Sequence, residues 1–525
     1  MRLRTAQRSL SGGWLAAAVA GGLQALSIAW PGTGRAQGWL QIASLAWLAW
    51  SLCRLVVSEQ ALKPTLMAAA RRSGVFAVAW LAGTFWWLHV SMHQVGGLPA
   101  PLSVAAVLLL ASVLGLYYVG AATVWVWLVR LARWDLRPQA ASVLFAALWL
   151  LAELMRGRWF TGFPWGAGGY AHVDGWLAAA APWVGVYGMG AIASWLAMRL
   201  AMLRVGAQHR WRVLALVALV LAGVSQLPDS DRFTESAGMA EVELLQANIA
   251  QTEKFDAQHG VRDALLWYRE RLQSSNQPLV IAPETAIPLL PRHLPPGYWQ
   301  GLQDHFAQGH RLALVGMPWG DAVQGYANAL WAFGPKDLPE YRYDKFHLVP
   351  FGEFIPTGFG WFVRQMQIPL GDFVRGSVHQ PSITWQGQRL APNICYEDLF
   401  GEELAARFRA DEQPPTALVN VSNIAWFGDT VAVDQHLNIS RLRAMELGRP
   451  MLRATNTGAT AIIDHRGQVQ GQLPRFTRGS LTGRFEGRTG LTPYARWVAA
   501  FGLWPLWGLA LSVLVFALWR ARTQR

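Results

Sequence analysis

The chain has 525 residues, too many for a single core, and its length points to two to four domains. A content of 53% hydrophobic and 15% charged residues, with 29 tryptophans, describes a membrane protein with an appended water-soluble part. The net charge of +13 is carried by arginine, since Lys63, Lys254, Lys336 and Lys345 are the only lysines; the arginines mostly flank apolar segments rather than cluster on a soluble region, which excludes a nucleic-acid partner.

Seven apolar stretches of spanning length precede residue 230. They run roughly over Trp14 to Trp30, Gly38 to Val57, Val75 to Met92, Leu102 to Leu131, Ala140 to Met155, Trp176 to Leu203 and Val213 to Leu227, against ~20 residues per span. An eighth covers Trp497 to Trp519. The first exceeds the usual signal-peptide apolar core of about 7 to 15 residues and is expected to stay in the mature protein. With the N-terminus in the cytoplasm, the cytoplasmic side receives Arg2, Arg4, Arg8, Arg54, Lys63, Arg71, Arg72, Arg130, Arg133, Arg137, Arg199, Arg204, Arg210, Arg212, Arg520, Arg522 and Arg525. The short loops opposite hold only Arg35, Arg156 and Arg158, an asymmetry that predicts this orientation. Seven spans then deliver residues 231–490 to the outer face. The expected division is 1–230 as an N-terminal membrane domain of seven helices, 231–490 as a catalytic domain, and 491–525 as a C-terminal transmembrane helix with a cytoplasmic tail.

This topology separates the two cysteines. Cys53 falls near the cytoplasmic end of the second span, so Cys395 becomes a lone thiol in an oxidising compartment, which invites a functional role. The long outer loop RGRWFTGFPWGAGGYAHVDG, residues 156–175, has the composition of an interfacial aromatic belt; as a set its rings could also shape lipid access. Glu153 is an intramembrane carboxylate with Arg156 one turn on as a partner. The GxGxxA pattern in GVYGMGAIA lies inside a span with no preceding strand and reads as close helix packing rather than dinucleotide binding.

From Glu241 the pattern changes to short β-rich runs: EVELLQANI, PLVIAPE, LALVGMP, NALWAFG, ITWQGQRLAPNIC, ALVNVSN, MLRATN and TGATAIID. Helical spacing appears in VRDALLWYRERL and DQHLNISRLRAMELG. Strands alternating with helices predict a layered α/β domain.

Three residues fall where strands or their following loops end. Glu284 in VIAPETAIP is a carboxylate directly after an apolar strand, Lys345 sits in YRYDKFHLVPFGEFIP, and Cys395 sits in NICYED before the helix-like LFGEELAARF. A thiol needs a base, and a carboxylate whose pKa is raised in a dry site can supply one; Glu284 fits. Acyl transfer also develops an oxyanion, which the Lys345 ammonium and the Tyr396 amide can stabilise. No GxSxG elbow, HExxH helix or P-loop is present, and the twelve histidines are scattered, which disfavours metal or Cys-His catalysis; His347 reads as a structural hydrogen-bonding residue. No cofactor and no metal are expected.

This constellation resembles the nitrilase superfamily, whose Glu-Lys-Cys triad is spread over three segments in this order, and implies a four-layer αββα sandwich. With seven spans before it and one after, the chain resembles the bacterial apolipoprotein N-acyltransferases over nearly its whole length. Further similarities are TGFPWGAGGY, DKFHLVPFGEFIP, the CYE run, and NIAWFGDT with RAMELGRP. The resemblance implies a multi-pass enzyme of the bacterial inner membrane with its catalytic domain on the periplasmic side, acting as a monomer. Its partners would be a phospholipid acyl donor, a diacylated apolipoprotein acceptor and membrane lipids. It further implies Glu284 as general base, Lys345 as support of the tetrahedral intermediate and Cys395 as nucleophile forming a thioester. Glu353 and Glu397 match additional essential carboxylates, Tyr396 an aromatic beside the nucleophile, and Trp426 and Phe427 a mobile loop over the pocket. Phe255 stands in the acyl site where the family pattern usually has tryptophan. Two other readings share parts of this pattern. A membrane-tethered amidase would use the triad on a small soluble substrate, and a scaffold or transporter would tolerate its loss.

Overall fold

The computed structural model describes residues 2–134, 137–203, 210–256, 258–356, 372–409 and 413–524, with side chains from residue 13 onward. Of the arginines used for orientation, Arg204 and Arg525 lie outside the described residues, as do the side chains of Arg2, Arg4 and Arg8. The chain divides into two units. One comprises Met1–Trp86, Pro101–Pro228 and Leu503–Arg525; the other comprises Trp87–Ala100 and Asp229–Gly502.

The first unit is helical: α1 (Arg2–Leu26), α2 (Gly38–Val56), α3 (Leu62–Thr84), α4 (Ala100–Leu131), α5 (Pro138–Arg158), α6 (Ala181–Met202), α7 (Arg210–Ser225) and a C-terminal helix, Trp504–Thr523. Small residues let backbones approach: a Cβ at Gly21 in α1 would stand 2.3 Å from the Phe76 carbonyl oxygen of α3. Hydroxyls in the apolar helices are satisfied within the helix, Ser73 Oγ donating to the Ala69 carbonyl at 2.8 Å and Ser142 Oγ to the Pro138 carbonyl at 2.8 Å. Five of the described helices are long and apolar enough to cross a membrane, or six if Leu62–Thr84 and Leu88–Val95 are taken as one broken span. The first expected span is shorter than anticipated, the apolar part of α1 being Gly13–Leu26, while α7 has 16 residues, as long as the apolar run expected there but short of the ~20 of a full span.

The aromatic loop of residues 156–175 departs from a simple interfacial belt. Arg156 donates through Nη1 to the carbonyls of Phe163 (2.7 Å) and Trp165 (2.6 Å) and through Nε to Tyr118 Oη (2.9 Å), while Glu153 Oε1 accepts from the Gly168 amide at 2.9 Å. These two side chains fold the loop inward, so Trp165 and Tyr170 are buried, and only flanking rings such as Phe160 and Trp176 are exposed. The polar interior of α5 is thus used to close a loop.

The second unit is a sandwich of two six-stranded sheets. One has the order β12 (Gly479–Gly490), β1 (Thr234–Gln246), β2 (Leu279–Ile281), β3 (Leu312–Asp321), β4 (Gly325–Phe333), β5 (Arg342–Asp344). The other has the order β11 (Val469–Gln472), β10 (Ala461–Ile463), β9 (Met451–Thr455), β8 (Ala417–Ser422), β7 (Gln388–Ile394), β6 (Ile383–Trp385). β1, β2 and β3 are parallel, as are β7, β8 and β9; the flanking strands are antiparallel.

The period-2 alternation of each strand builds the layers. Val242, Leu244, Leu279, Ile281, Leu312 and Leu314 meet Leu390, Ile394, Val419, Val421, Leu452 and Ala454 between the sheets. The intervening residues Leu245, Val280, Ala313 and Val315 face outward onto α8 (Gly260–Ser274) and α9 (Tyr298–Ala307). On the opposite side Ala391, Leu418, Met451 and Ala461 pack against α10 (Gly401–Ala405), α11 (Ala432–Leu447) and α12 (Pro493–Phe501). The result is the αββα layering. Because α12 packs its Tyr494, Ala495 and Val498 into that core, the second unit runs to Gly502 rather than ending near residue 490. It also takes in Trp87–Ala100, a short helical stretch that lies between α3 and α4 in the chain.

Candidate active site

Ligand sites of parallel sheets lie beyond the carboxyl ends of their strands, and four of the singled-out segments start there. β2 runs into Ala282-Pro283-Glu284, and pairing continues past the strand end, with the Ala282 amide donating to the Leu314 carbonyl and the Ile287 amide to the Gly316 carbonyl. Gly316 is required at this point: a Cβ there would lie 2.3 Å from the Pro283 carbonyl oxygen and 2.7 Å from Glu284 Cα. Lys345 follows β5, Cys395 follows β7, and Asn423 follows β8.

Glu284 and Lys345, far apart in the chain, converge. Lys345 Nζ lies 3.3 Å from Glu284 Oε1 and 2.8 Å from Glu353 Oε1, and all three side chains are buried. Asn328 Nδ2 donates to Glu284 Oε1 (2.7 Å) and to Glu353 Oε1 (2.8 Å), the Asn423 amide donates to Glu284 Oε2 (2.8 Å), and the Val349 amide donates to Glu353 Oε2 (2.8 Å). Lys254, buried, donates to the Glu284 carbonyl oxygen at 3.1 Å.

These contacts set the protonation states. Burial pushes the Glu284 carboxyl up, but Lys345, the Asn328 amide, Lys254 and the Asn423 amide together hold it below the usual carboxylate range. This reverses the expectation of a carboxylate with a raised pKa, because two ammonium groups and two amide donors together outweigh burial here. Burial lowers the Lys345 pKa, yet Glu353, Glu284 and Cys395 raise it well above the ordinary lysine value. Lys254, with burial dominant and only partial compensation from Glu284 and Cys395, drops to about 8.

Cys395 is partly buried and carries a left-handed backbone, φ +53°, at the turn from β7 into the helical turn Cys395–Leu399. Burial and the Glu284 carboxylate push its thiol well up, Lys345 pulls it down, and Glu353 and Asp398 push it further up. The resting group is therefore a neutral thiol in the electrostatic field of an ionised carboxylate and a charged lysine.

Glu397 and Tyr396 separate in role. Glu397 Oε1 accepts from the amides of Phe346 (2.7 Å) and His347 (3.1 Å), Oε2 accepts from the Ile394 amide (2.6 Å), and Tyr343 Oη donates to both oxygens. It ties the residue before Cys395 to the residue after Lys345. Burial raises its pKa above the ordinary value, against the pull of the Ile394 amide, Lys345 and the other backbone donors. The Tyr396 ring packs on His347 and Phe400, and His347 Nδ1 is bonded to Glu403, the structural hydrogen bond anticipated for it.

Trp426 and Phe427 lie in the turn Ile424–Phe427, directly after the Asn423 that binds Glu284. The Phe427 ring sits 4.3 Å from that of Trp87. Phe255 is half-exposed and follows Lys254. Lys254, Asn328, Asn423 and the buried cluster of Asp398, His436 and Arg453 were not singled out by sequence.

Matches to known proteins follow this geometry. The model of the carbon-nitrogen hydrolase family matches residues 242–494, and that of the apolipoprotein N-acyltransferase N-terminal domain matches residues 20–199. The apolipoprotein N-acyltransferase of Verminephrobacter eiseniae (strain EF01-2) is 54% identical over 510 residues, covering 93% of this chain and 92% of its own. The chain belongs to the apolipoprotein N-acyltransferase family. Other members are those of Ralstonia nicotianae, 46% identical over 486 residues (92% of this chain and 90% of that protein), and Bordetella bronchiseptica, 39% identical over 523 residues (91% and 94%). As a member of this family the chain is an enzyme, an acyltransferase built on a carbon-nitrogen hydrolase domain.

Proposed function

We propose that this acyltransferase moves an acyl chain from a phospholipid to the α-amino group of the diacylglyceryl-cysteine of an apolipoprotein, in two steps through a thioester on Cys395. The observation that carries this reading is the convergence of Glu284, Lys345 and Glu353 in the field of a neutral Cys395 thiol, within a chain of this family. In the first step Cys395 Sγ bonds to the donor ester carbonyl while Glu284 takes the thiol proton, and the carbonyl electron pair moves onto oxygen. Lys345 Nζ and the Tyr396 amide face that oxyanion. Collapse breaks the ester C–O bond, Glu284 returns the proton to the leaving glycerol oxygen, and the lysophospholipid departs. In the second step the acceptor amine attacks the thioester, Glu284 takes its proton, and the thiol is restored. Two-step covalent catalysis suits two bulky substrates, because the donor leaves before the acceptor arrives.

Glu353 keeps Lys345 charged and aimed, Phe255 contributes to the acyl site, and Trp426 with Phe427 cover the pocket. The helices of the first unit, within residues 1–86, 101–228 and 503–525, would supply eight membrane crossings, placing the catalytic second unit on the periplasmic face of the inner membrane, with the enzyme acting as a monomer. Intact-mass measurement of protein purified from membranes tests the chemistry. An acyl-sized adduct is expected on the native chain and none on Cys395→Ala, with membrane insertion retained. Full turnover by Cys395→Ala would overturn the nucleophile assignment, and rapid loss of the adduct to water without an acceptor would favour a hydrolase.

A further inference from the structure

Beneath the Cys395 turn lies a buried polar cluster that no step above uses. The Cys395 carbonyl oxygen accepts from His436 Nε2 at 3.3 Å and from Asn420 Nδ2 at 3.4 Å. His436 Nε2 is also bonded to Asp398 Oδ1 (2.9 Å), and Arg453 Nη2 donates to His436 Nδ1 (2.9 Å). Arg453 Nη1 donates to Asn420 Oδ1 (2.9 Å), Ser440 Oγ (2.7 Å) and Asp398 Oδ2 (3.3 Å), and Ser440 donates to the same Asp398 oxygen. His436, Asp398, Arg453, Asn420 and Ser440 are completely buried.

The chemistry of the partners fixes the hydrogens. A guanidinium only donates, so Nδ1 of His436 accepts and the ring proton sits on Nε2, shared between Asp398 and the Cys395 carbonyl. Burial, followed by the adjacent Arg453, lowers the His436 pKa, which keeps the ring in this neutral form. The Cys395 carbonyl thereby accepts two hydrogen bonds from the protein interior. The Cys395–Tyr396 peptide is trans, so its N–H points opposite to its C=O. Holding the carbonyl inward holds the Tyr396 N–H outward, on the side where an acyl oxygen would develop charge. Hydrogen bonds accepted by a peptide carbonyl also polarise the same peptide's N–H and strengthen it as a donor. The left-handed φ of Cys395 needs such surroundings to persist.

We infer that His436 is a positioning residue for acyl transfer: through the Cys395 carbonyl it fixes and polarises the 395–396 peptide whose N–H faces the oxyanion. This rests on the reading of Cys395 as the nucleophile, and the test separates the two. Full-length enzyme in phospholipid vesicles is assayed for acyl-enzyme formation by intact mass and for Cys395 alkylation by iodoacetamide, a displacement that develops no oxyanion. His436→Leu is expected to slow acylation about 10- to 100-fold, since losing one oxyanion donor outright costs ~10²–10³, with the phospholipid KM and the alkylation rate essentially unchanged. His436→Gln, which keeps a donor in reach, is expected to recover most of the rate. His436→Asn, still able to accept from Arg453 but too short for the Cys395 carbonyl, is expected to repeat the loss if the leucine variant does not accumulate. Native acylation rates in the leucine or asparagine variant, a parallel fall in alkylation, or no recovery with glutamine would each overturn the inference. Turnover by Cys395→Ala would instead overturn the nucleophile reading.

Discussion

Replacing Glu397 by glutamine changes one oxygen to an amide and should still damage both stability and rate, because every partner of that carboxylate is a donor. With the amide oxygen toward Phe346 and His347, the new NH2 faces the Ile394 amide across a contact now only 2.6 Å long. The alternative rotamer sets the NH2 against two backbone amides. Either way one charge-assisted hydrogen bond, worth roughly 1.5–3 kcal/mol, is lost, and a buried N–H is left facing a donor at a further ~1–3 kcal/mol. The expected destabilisation of the catalytic unit is therefore about 3–5 kcal/mol. The rate should fall as well: Glu397 fixes the residues next to Cys395 and Lys345, and a shift of about 1 Å between reacting groups costs ~10²-fold. Denaturant unfolding followed by tryptophan fluorescence gives the first quantity, and the rate of acyl-enzyme formation gives the second. Glu397→Gln with native stability but lost activity would refute this reasoning, since that pattern belongs to a carboxylate acting directly on substrate.

Gly316→Ala should push the Glu284 turn away, since the new methyl meets backbone atoms rather than a flexible side chain. A destabilisation of about 1–3 kcal/mol with a loss of acyl-enzyme formation is expected, and native activity would refute the packing argument. Trp87→Phe keeps a ring against Phe427 but loses the 3.1 Å hydrogen bond from Nε1 to Gln435 Oε1, while Trp87→Ala loses both. Costs of about 1 kcal/mol and about 3–5 kcal/mol follow, read as faster hydrogen exchange over residues 424–430; unchanged exchange in the alanine variant would sink it. Arg449→Lys cannot reproduce three carbonyl contacts, to Pro415, Gly448 and Gly490, from a single ammonium. A fall of about 2–4 kcal/mol in unfolding free energy is expected, and equality with the native chain would show those bonds to be dispensable.

The layered architecture is legible where alternation is strong. EVELLQ, PLVI, LALVG and ALVNVS each carry inward and outward apolar sets, and these became β1, β2, β3 and β8. β12 was not legible: its inward positions include Leu481, Gly483 and Phe485 between arginines and threonines, and its pairing with β1 spans more than half of the second unit's sequence. β5, three residues long, carries too few positions to show a period. Among site residues, Glu284 and Cys395 stand out because a carboxyl or a thiol follows an apolar run, and Lys345 because it is one of only four lysines and sits in an aromatic, proline-rich loop. Asn328, Asn423 and Lys254 are hidden because a polar residue at a strand or loop position looks solvent-facing until the second strand arrives. Arg453 did leave a signal, since an arginine inside MLRAT and an asparagine inside ALVNVS interrupt runs that are buried throughout. Such interruptions require internal partners, and each is the other's partner.

The charge balance around Glu284 sets the last prediction. Lys345 is flanked by two carboxylates that hold its pKa far above neutrality, so its ammonium persists over the working range of the enzyme. Lys254, with its pKa at about 8, is the cation that discharges there. Its charge is one of the groups holding the Glu284 carboxyl down, so its loss makes Glu284 a stronger base. Acyl-enzyme formation, which involves no acceptor amine, should therefore rise as pH passes through about 8, and Lys254→Met should remove that step. The same shift carries a stability signature of fixed sign. Between pH about 8 and 10.5 the unfolded chain holds a proton on Lys254 that the folded chain has released, so stability rises with pH across that window by up to about 3 kcal/mol. Below pH 8 both states are protonated and the native chain bears the full cost of burying the charge. The unfolding free energy of the native chain relative to Lys254→Met should thus increase from pH 7.5 toward 10.5; a difference that is flat or falls, or an acylation step that survives in the methionine variant, would rule out Lys254 as the titrating group.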